Sequence, residues 1–204
     1  MTTAARDGIV ADAGDFVIRA KGLADAMDDY LWRRDEDTAR LDGSGRLDVP
    51  FSEFLAQRER DLGPASDRRW LALESAEGVH FGTLVVFNVD PAGDAAEIGI
   101  TIGRPEYRGR GIGTRAVVTL LRTAWATTAL RRVYLHVFEW NERARRSFVK
   151  AGFQDVARVL RGPDVLVRME ARREWWLLWD AEGRFASPGA DSKPRPDTHD
   201  ATSR

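Results

Sequence analysis

The sequence predicts a mixed α/β domain, a central sheet with helices on both faces. Three observations carry this. A run of period-two segments with tight turns fills the middle of the chain, strand-like and helix-like segments alternate after it, and the composition can bury a core. The 204 residues are 43% hydrophobic and 31% charged, which fits one globular domain better than two.

Residues 1–13 show no periodicity and read as a flexible leader. The domain is therefore expected to span 14–179. Phe16 to Ala20 is a short strand candidate. Leu23, Met27, Tyr30 and Leu31 recur at helical spacing, so one or two helices lie between Leu23 and Leu41, stopped by Asp42-Gly43-Ser44-Gly45. Pro50 precedes a helical run from Phe51 to Leu62, ended by Gly63-Pro64. The period then changes. Arg69 to Glu74 and Val79 to Val89 read as two strands, and Pro91-Ala92-Gly93-Asp94 turns into a third, Ala95 to Ile102. After a loop rich in glycine and arginine, Ile112, Ala116, Val117, Leu120, Leu121, Ala124 and Trp125 form one apolar helix face. Arg132 to Phe138 is a strand, Asn141 to Ala151 a short helix stopped by Gly152, and Phe153 to Leu160 with Val165 to Glu170 a final strand pair. The apolar segment Trp175 to Trp179 must bury either in the core or against a second copy, as a homodimer contact. Residues 180–204 hold almost no large apolar side chain and read as a disordered tail.

Composition excludes several chemistries. With no cysteine there are no disulfides, thiolate nucleophiles or Cys-based metal sites, and His80, His136 and His199 lack ligand spacing, so no metal is expected. A formal charge of −1 gives no bulk attraction to nucleic acid. No apolar run is long enough for a membrane span, and the first residues lack the pattern of a secretory signal, so a soluble cytoplasmic protein is expected.

The most informative stretch is Glu97-Ile98-Gly99-Ile100-Thr101-Ile102, then Arg108-Gly109-Arg110-Gly111-Ile112-Gly113-Thr114, then the amphipathic helix. A helix N terminus presents unpaired N–H groups and a partial positive charge that suit a phosphate. Gly109, Gly111 and Gly113 let an anion reach the backbone, and Arg108 and Arg110 add charge. The plain alternative is a tight turn with solvated arginines. Gly111-x-Gly113-x-x-Ala116 formally fits the dinucleotide fingerprint, but it lies late in the chain and lacks the acidic strand end about 20 residues on; the mononucleotide P-loop's Lys-Ser/Thr is absent.

These residues resemble a known family. Arg108 to Gly113 matches the Arg/Gln-x-x-Gly-x-Gly/Ala signature of the GCN5-related N-acetyltransferases (GNAT), and Asn141 to Phe153 matches its second signature, Asn, a helix and Gly-Phe. The resemblance covers roughly residues 14 to 170. Within the family the chain looks most like the RimJ/RimL-like branch, which acetylates ribosomal-protein N termini.

The resemblance implies a mostly antiparallel sheet in which one parallel strand pair splays to hold acetyl-CoA. The Arg108–Thr114 amides would take the pyrophosphate. Main-chain groups of Ile100, Thr101 and Ile102 would pair with the pantetheine arm, Asn141 would bond the same arm, and Arg146 or Lys150 would reach the nucleotide phosphates or lie on a solvated face. Glu97 is the candidate base, set against a surface charge opening a strand; His136 and Tyr107 are weaker candidates. Phe148 stands where many members carry the Tyr that protonates the leaving thiolate, which leaves Ser147 as a weak acid candidate. The reaction implied is acetyl transfer to a primary amine, first a protein or peptide N-terminal α-amine, which needs less help from a base than a lysine does. The alternatives are a small-molecule amine (an antibiotic, polyamine or metabolite) and a non-catalytic CoA-binding module. The acidic run Asp28, Asp29, Asp35, Glu36 and Asp37 is either an attractor for a cationic acceptor or a solvated helix face.

Overall fold

The computed structural model describes residues 9–185. Residues 1–8 of the expected leader and 186–204 of the expected tail lie outside the described residues. The chain begins with β1 (Ile9–Asp12) and β2 (Phe16–Ala20), followed by three helices, α1 (Ala26–Arg34), α2 (Glu36–Asp42) and α3 (Phe51–Leu62). Then come β3 (Arg69–Ser75), β4 (His80–Phe87), β5 (Ala95–Ile102), α4 (Ile112–Thr127), β6 (Arg132–Phe138) and α5 (Glu142–Lys150). A hairpin of β7 (Gln154–Arg161) and β8 (Asp164–Arg172) leads into α6 (Arg173–Ala181). The eight strands form one sheet in the order β1-β2-β3-β4-β5-β6-β8-β7, in which only β5 and β6 run parallel. The mixed sheet agrees with the residue pattern, and its mostly antiparallel order with a single parallel pair agrees with what the family resemblance implies.

The two faces of the sheet follow from strand alternation. On one face Leu71, Leu84, Ile98, Val133 and Leu135 pack with Ala116, Val117 and Leu121 of α4 in the main core. On the other, Thr83 bonds Asp29 of α1 and Trp70 lies under the Arg58 guanidinium of α3, while Ala26, Tyr30 and Phe54 form a small cluster among the helices. The leader ends earlier than expected, because Ile9 pairs with Arg19 and Asp12 with Val17 along the outer edge of β2. Four residues are too few to show a period, so this strand is held by backbone pairing that composition does not reveal.

The Trp175 to Trp179 segment forms most of α6. Trp176 is fully buried within its own chain, donates its Nε1–H to the Ala151 carbonyl at 2.8 Å and stacks on Phe185. Gly152 must lack a side chain there, since a Cβ would come within 2.6 Å of the Trp176 ring. Among the described residues no helix is long and apolar enough to cross a membrane, and no group of His, Asp and Glu is placed to hold a metal.

Candidate active site

Strands β5 and β6 pair only at Ala95–Arg132, Ala96–Val133 and Glu97–Tyr134. Beyond Glu97 they part, and the gap opens into a cleft of about 620 Å³ that runs from the glycine loop to α1–α3. The β4–β5 register fixes which backbone faces it. The Gly103 N–H bonds the Phe81 carbonyl at 3.0 Å, so residues 101 and 99, two and four positions back, turn their amides to β4 while Ile100 and Ile102 turn theirs into the gap. Thr101 therefore has no main-chain group for a ligand in the gap, contrary to the expectation for it. The Ile102 carbonyl faces the gap but already accepts from Arg108 Nε at 2.8 Å, which leaves Ile100 with the open main-chain pair.

At the head of the gap stands the N terminus of α4. Gly111 is its N-cap, in the left-handed region at φ 74°, and no side chain caps the helix. Its first N–H groups have no intrahelical acceptor. Gly109 is also left-handed, at φ 76°, and a Cβ at either glycine would meet nothing within 4 Å, so backbone conformation rather than internal packing requires them. Gly113 and Thr114 line the cleft, as does the side of Ile112; Arg110 is exposed and does not.

Arg108 lines the cleft but is not a free charge. Its guanidinium donates to the carbonyls of Ile102 and Gly103 and, at 2.8 Å, to Thr38 Oγ1 on α2. Asn141 caps α5, its Oδ1 accepting from the Ala144 N–H at 3.2 Å. Ser147 joins α5 to α4 through Thr114 Oγ1 at 2.7 Å. Arg146 pairs with Glu142 on the exposed side of α5, and Phe148 packs near Phe153 in the core margin. Tyr107 stacks on Phe81.

Glu97 sits where the strands part. One carboxylate oxygen meets His136 Nδ1 at 2.7 Å and the other accepts from Asn88 Nδ2 at 2.8 Å. His136 lies two residues beyond Glu97's partner Tyr134, so both side chains share a face. Glu97 is 12% exposed and His136 27%, which leaves the imidazole open to the cleft. Asn88, unremarked in the sequence, is the single non-glycine with positive φ among the described residues (47°). An Asn ending a strand is the weak signal that could have found it. Burial, then the Glu97 charge, raises the pKa of the neighbouring Tyr134.

The acidic run of α1 and α2 is largely consumed by the fold. Asp29 is buried between Lys21 Nζ at 2.7 Å, Thr83 Oγ1 at 3.0 Å and Arg58 at 3.3 Å. Burial pushes the Lys21 ammonium down to about 8 against the pull of Asp29. Asp28 faces His80 at 3.2 Å, where burial and then the Lys21 charge lower the imidazole's pKa. Asp35 caps α2 through Thr38. Asp28, Asp29 and Asp35 are thus taken up by neighbours within the fold, while Glu36 and Asp37 lie exposed on α2 as the solvated-face alternative has them.

The Acetyltransferase (GNAT) domain family matches residues 16–154. The chain belongs to the GNAT acetyltransferase family. Human alpha/beta-tubulin-N-acetyltransferase 9 is 32% identical over 84 residues, 40% of this chain and 41% of the relative. A Caenorhabditis briggsae N-acetyltransferase 9-like protein is 30% identical over 63% of this chain and 69% of its own length. Spermidine N(1)-acetyltransferase of Escherichia coli K12 is 28% identical over 50% of this chain and 54% of its length. The chain thus spans between two fifths and seven tenths of these curated relatives. Among solved structures, spermidine N-acetyltransferase from Vibrio cholerae, in complex with CoA and spermine, superposes with a TM-score of 0.71 over 80% of this chain and 98% of that one, at 18% identity. Aminoglycoside acetyltransferase AAC(6')-Ib in complex with coenzyme A and kanamycin gives 0.68 over 81% and 98%, at 15% identity. At these identities the likeness is one of fold. The RimJ/RimL-like branch is not singled out by these relatives.

Proposed function

We propose that the protein is an acetyl-CoA-dependent N-acetyltransferase acting on a primary amine, with an α-amine as the favoured acceptor. The observation that carries the reading is the parting of β5 and β6 beside the uncapped N terminus of α4. The residues there suit acetyl-CoA: left-handed glycines with open space where a Cβ would stand, bare helix amides for phosphate, and an open main-chain pair at Ile100 for an amide-bearing arm. Arg143 and Lys150 at the α5 end of the cleft supply charge for the nucleotide, while Arg146 shares its charge with Glu142.

When bound, acetyl-CoA supplies an acetyl group activated as a thioester. The chain's own residues then have three tasks. The loop amides and α4 hold the phosphate end. The Glu97–His136 pair takes the proton that the amine must lose, with Asn88 fixing the outer carboxylate oxygen. An α-amine near pKa 8 is already about a tenth neutral at pH 7, so this pair has little to do beyond accepting that proton. The third task is orientation, which falls to Trp32 and the helices across the cleft. Ser147, hydrogen-bonded to Thr114, remains the hydroxyl nearest the role of acid, and a thiolate of pKa near 8.5 leaves without much help.

The test is calorimetric titration with acetyl-CoA of the wild type, Gly111→Ala and Gly111→Glu, each checked for folding by circular dichroism. Both variants share the cost of φ 74°, but only the second sets a carboxylate where phosphate would lie. Micromolar binding kept in the alanine variant and lost in the glutamate one supports the reading. No binding by the folded wild type removes it.

A further inference from the structure

The acceptor end of the cleft is lined by one sheet face, where alternation places Phe87 and Glu97 in one row and Trp70, Val85 and Gly99 in the next, with Arg68, just before β3, over the Phe87 ring at 5.1 Å. Gly99 leaves a trough across this face, since a Cβ there would stand 3.1 Å from Val85. The charges around the trough do not balance. The carboxylates that line it near the sheet are already engaged, Asp29 with Lys21, Thr83 and Arg58 and Glu97 with His136 and Asn88, while Asp42 is exposed at the end of α2 and bonds only its own turn, at the Ser44 N–H. Two arginines are not so engaged. Among the described residues Arg33 has no carboxylate within salt-bridge distance, and Arg68 has only the exposed Asp67 at 3.9 Å.

The hydrogen-bond ledger leans the same way. At this end Arg33 Nε, Arg58 Nε and Nη1 and Trp70 Nε1 are buried donors without a hydrogen-bond acceptor, although Arg58 forms ion pairs with Asp29 Oδ2 at 3.3 Å and Asp61 at 3.9 Å. Arg58 is itself more than nine-tenths buried, and its guanidinium lies 4.3 Å over the Trp70 ring. Unmatched donors and unmatched positive charge in one place call for acceptor oxygens from a ligand.

We infer that the acceptor is an amine carrying a carboxylate one or two residues' length from the reacting nitrogen: an acidic peptide N terminus or a free acidic amino acid. This rests on the acetyl-transfer reading of the same cleft. With the amine at the Glu97–His136 pair, the Arg68 backbone lies two strand spacings away, about 10 Å, which is spanned by an extended residue or two and the arginine side chain. A polyamine laid in this trough would set its second ammonium among arginines, so the spermidine activity named for some relatives does not carry over.

The test uses the full chain with saturating acetyl-CoA and follows thiol release with four acceptors: a hexapeptide beginning Asp-Glu, its Lys-Lys counterpart, free aspartate and spermidine. The acidic peptide or aspartate is expected to exceed the lysine peptide and spermidine about tenfold or more in kcat/KM. Arg68→Gln should shrink the preference, and Arg68→Glu should turn it toward the lysine peptide. Which acidic acceptor is better separates a protein terminus from a free amino acid. Equal or faster turnover of spermidine or the lysine peptide overturns the inference. If acetyl-CoA binds but no amine releases thiol, the transfer reading fails, and calorimetry of the two peptides against the CoA-loaded protein decides the charge preference alone. Tighter binding of the acidic peptide that is lost in Arg68→Gln upholds it; equal binding, or none, overturns it.

Discussion

Gly103 gives the sharpest handle on the cleft. A Cβ at this position would stand 1.9 Å from Trp32 Cδ2, 2.1 Å from Cε2 and 2.3 Å from Cε3, over the middle of the indole. Gly103 cannot retreat, because its N–H is tied to the Phe81 carbonyl and its carbonyl to Arg108. The indole must therefore move by roughly 1.7 Å to restore a contact of about 3.6 Å. It would leave its place against His80, at 4.7 Å between ring centres, and swing into the cleft it lines. Overpacking of this kind costs about 1–3 kcal/mol, a fall of roughly 2–12 °C in melting temperature for a domain of this size. Gly103→Ala is thus expected to melt lower, keep its acetyl-CoA affinity, and raise the KM for the amine severalfold or more. Thermal melts, acetyl-CoA calorimetry and thiol-release kinetics read the three effects. Adding Trp32→Ala removes the clash, so the double variant should lose less stability than the two single losses added together. A Gly103→Ala protein within about 0.5 kcal/mol of wild type, with unchanged amine KM, would refute the placement of Trp32.

Three further outcomes follow from the geometry. His136→Phe should lower kcat about 10²–10⁴-fold while leaving acetyl-CoA affinity in place; an unchanged kcat removes the imidazole from the proton path. Trp176→Ala deletes a fully buried indole and its hydrogen bond to Ala151, so a loss of about 4 kcal/mol and a melting temperature lower by roughly 8–16 °C are expected, with no change in sedimentation. The Lys21 ammonium, held at about 8 when folded and near 10.4 when unfolded, makes the unfolded state bind the extra proton between those values, so stability rises with pH across that window. Urea unfolding at pH 7.5 and pH 10 should show wild type gaining on Lys21→Met by about 2 kcal/mol; a pH-independent difference would mean the ammonium is not desolvated.

Much of the fold was legible because its segments are long and their periods unmixed. Phe51–Leu62, Ala95–Ile102 and Arg132–Phe138 agree with the elements read from their apolar spacing. Val79 to Val89 ends two residues early, at Phe87, where Asn88 turns left-handed. The glycine loop, Asn141 and Glu97 were legible as a cluster because two linked motifs fix their order. What was not legible is pairing across distance. His136 reads only as a weaker base candidate within a strand until the parallel pair brings Glu97, 39 positions earlier, against it. Asp28, Asp29 and Asp35 read as a charged helix face because nothing local announces Lys21, Arg58 or Arg104. Arg108 reads as a free charge beside glycines, whereas the carbonyls it reaches exist only once β5 has stopped at Ile102.

The Arg108 side chain also works as a fastener between the two walls of the cleft. Its guanidinium is flat and stiff, and it spans from the last carbonyls of β5, beside the glycine loop, to a hydroxyl on α2. Neither wall can slide along this seam without breaking charge-assisted bonds. A push on the loop at the donor end is thus felt by the helix facing the acceptor, through one rigid plane rather than through a soft chain of contacts.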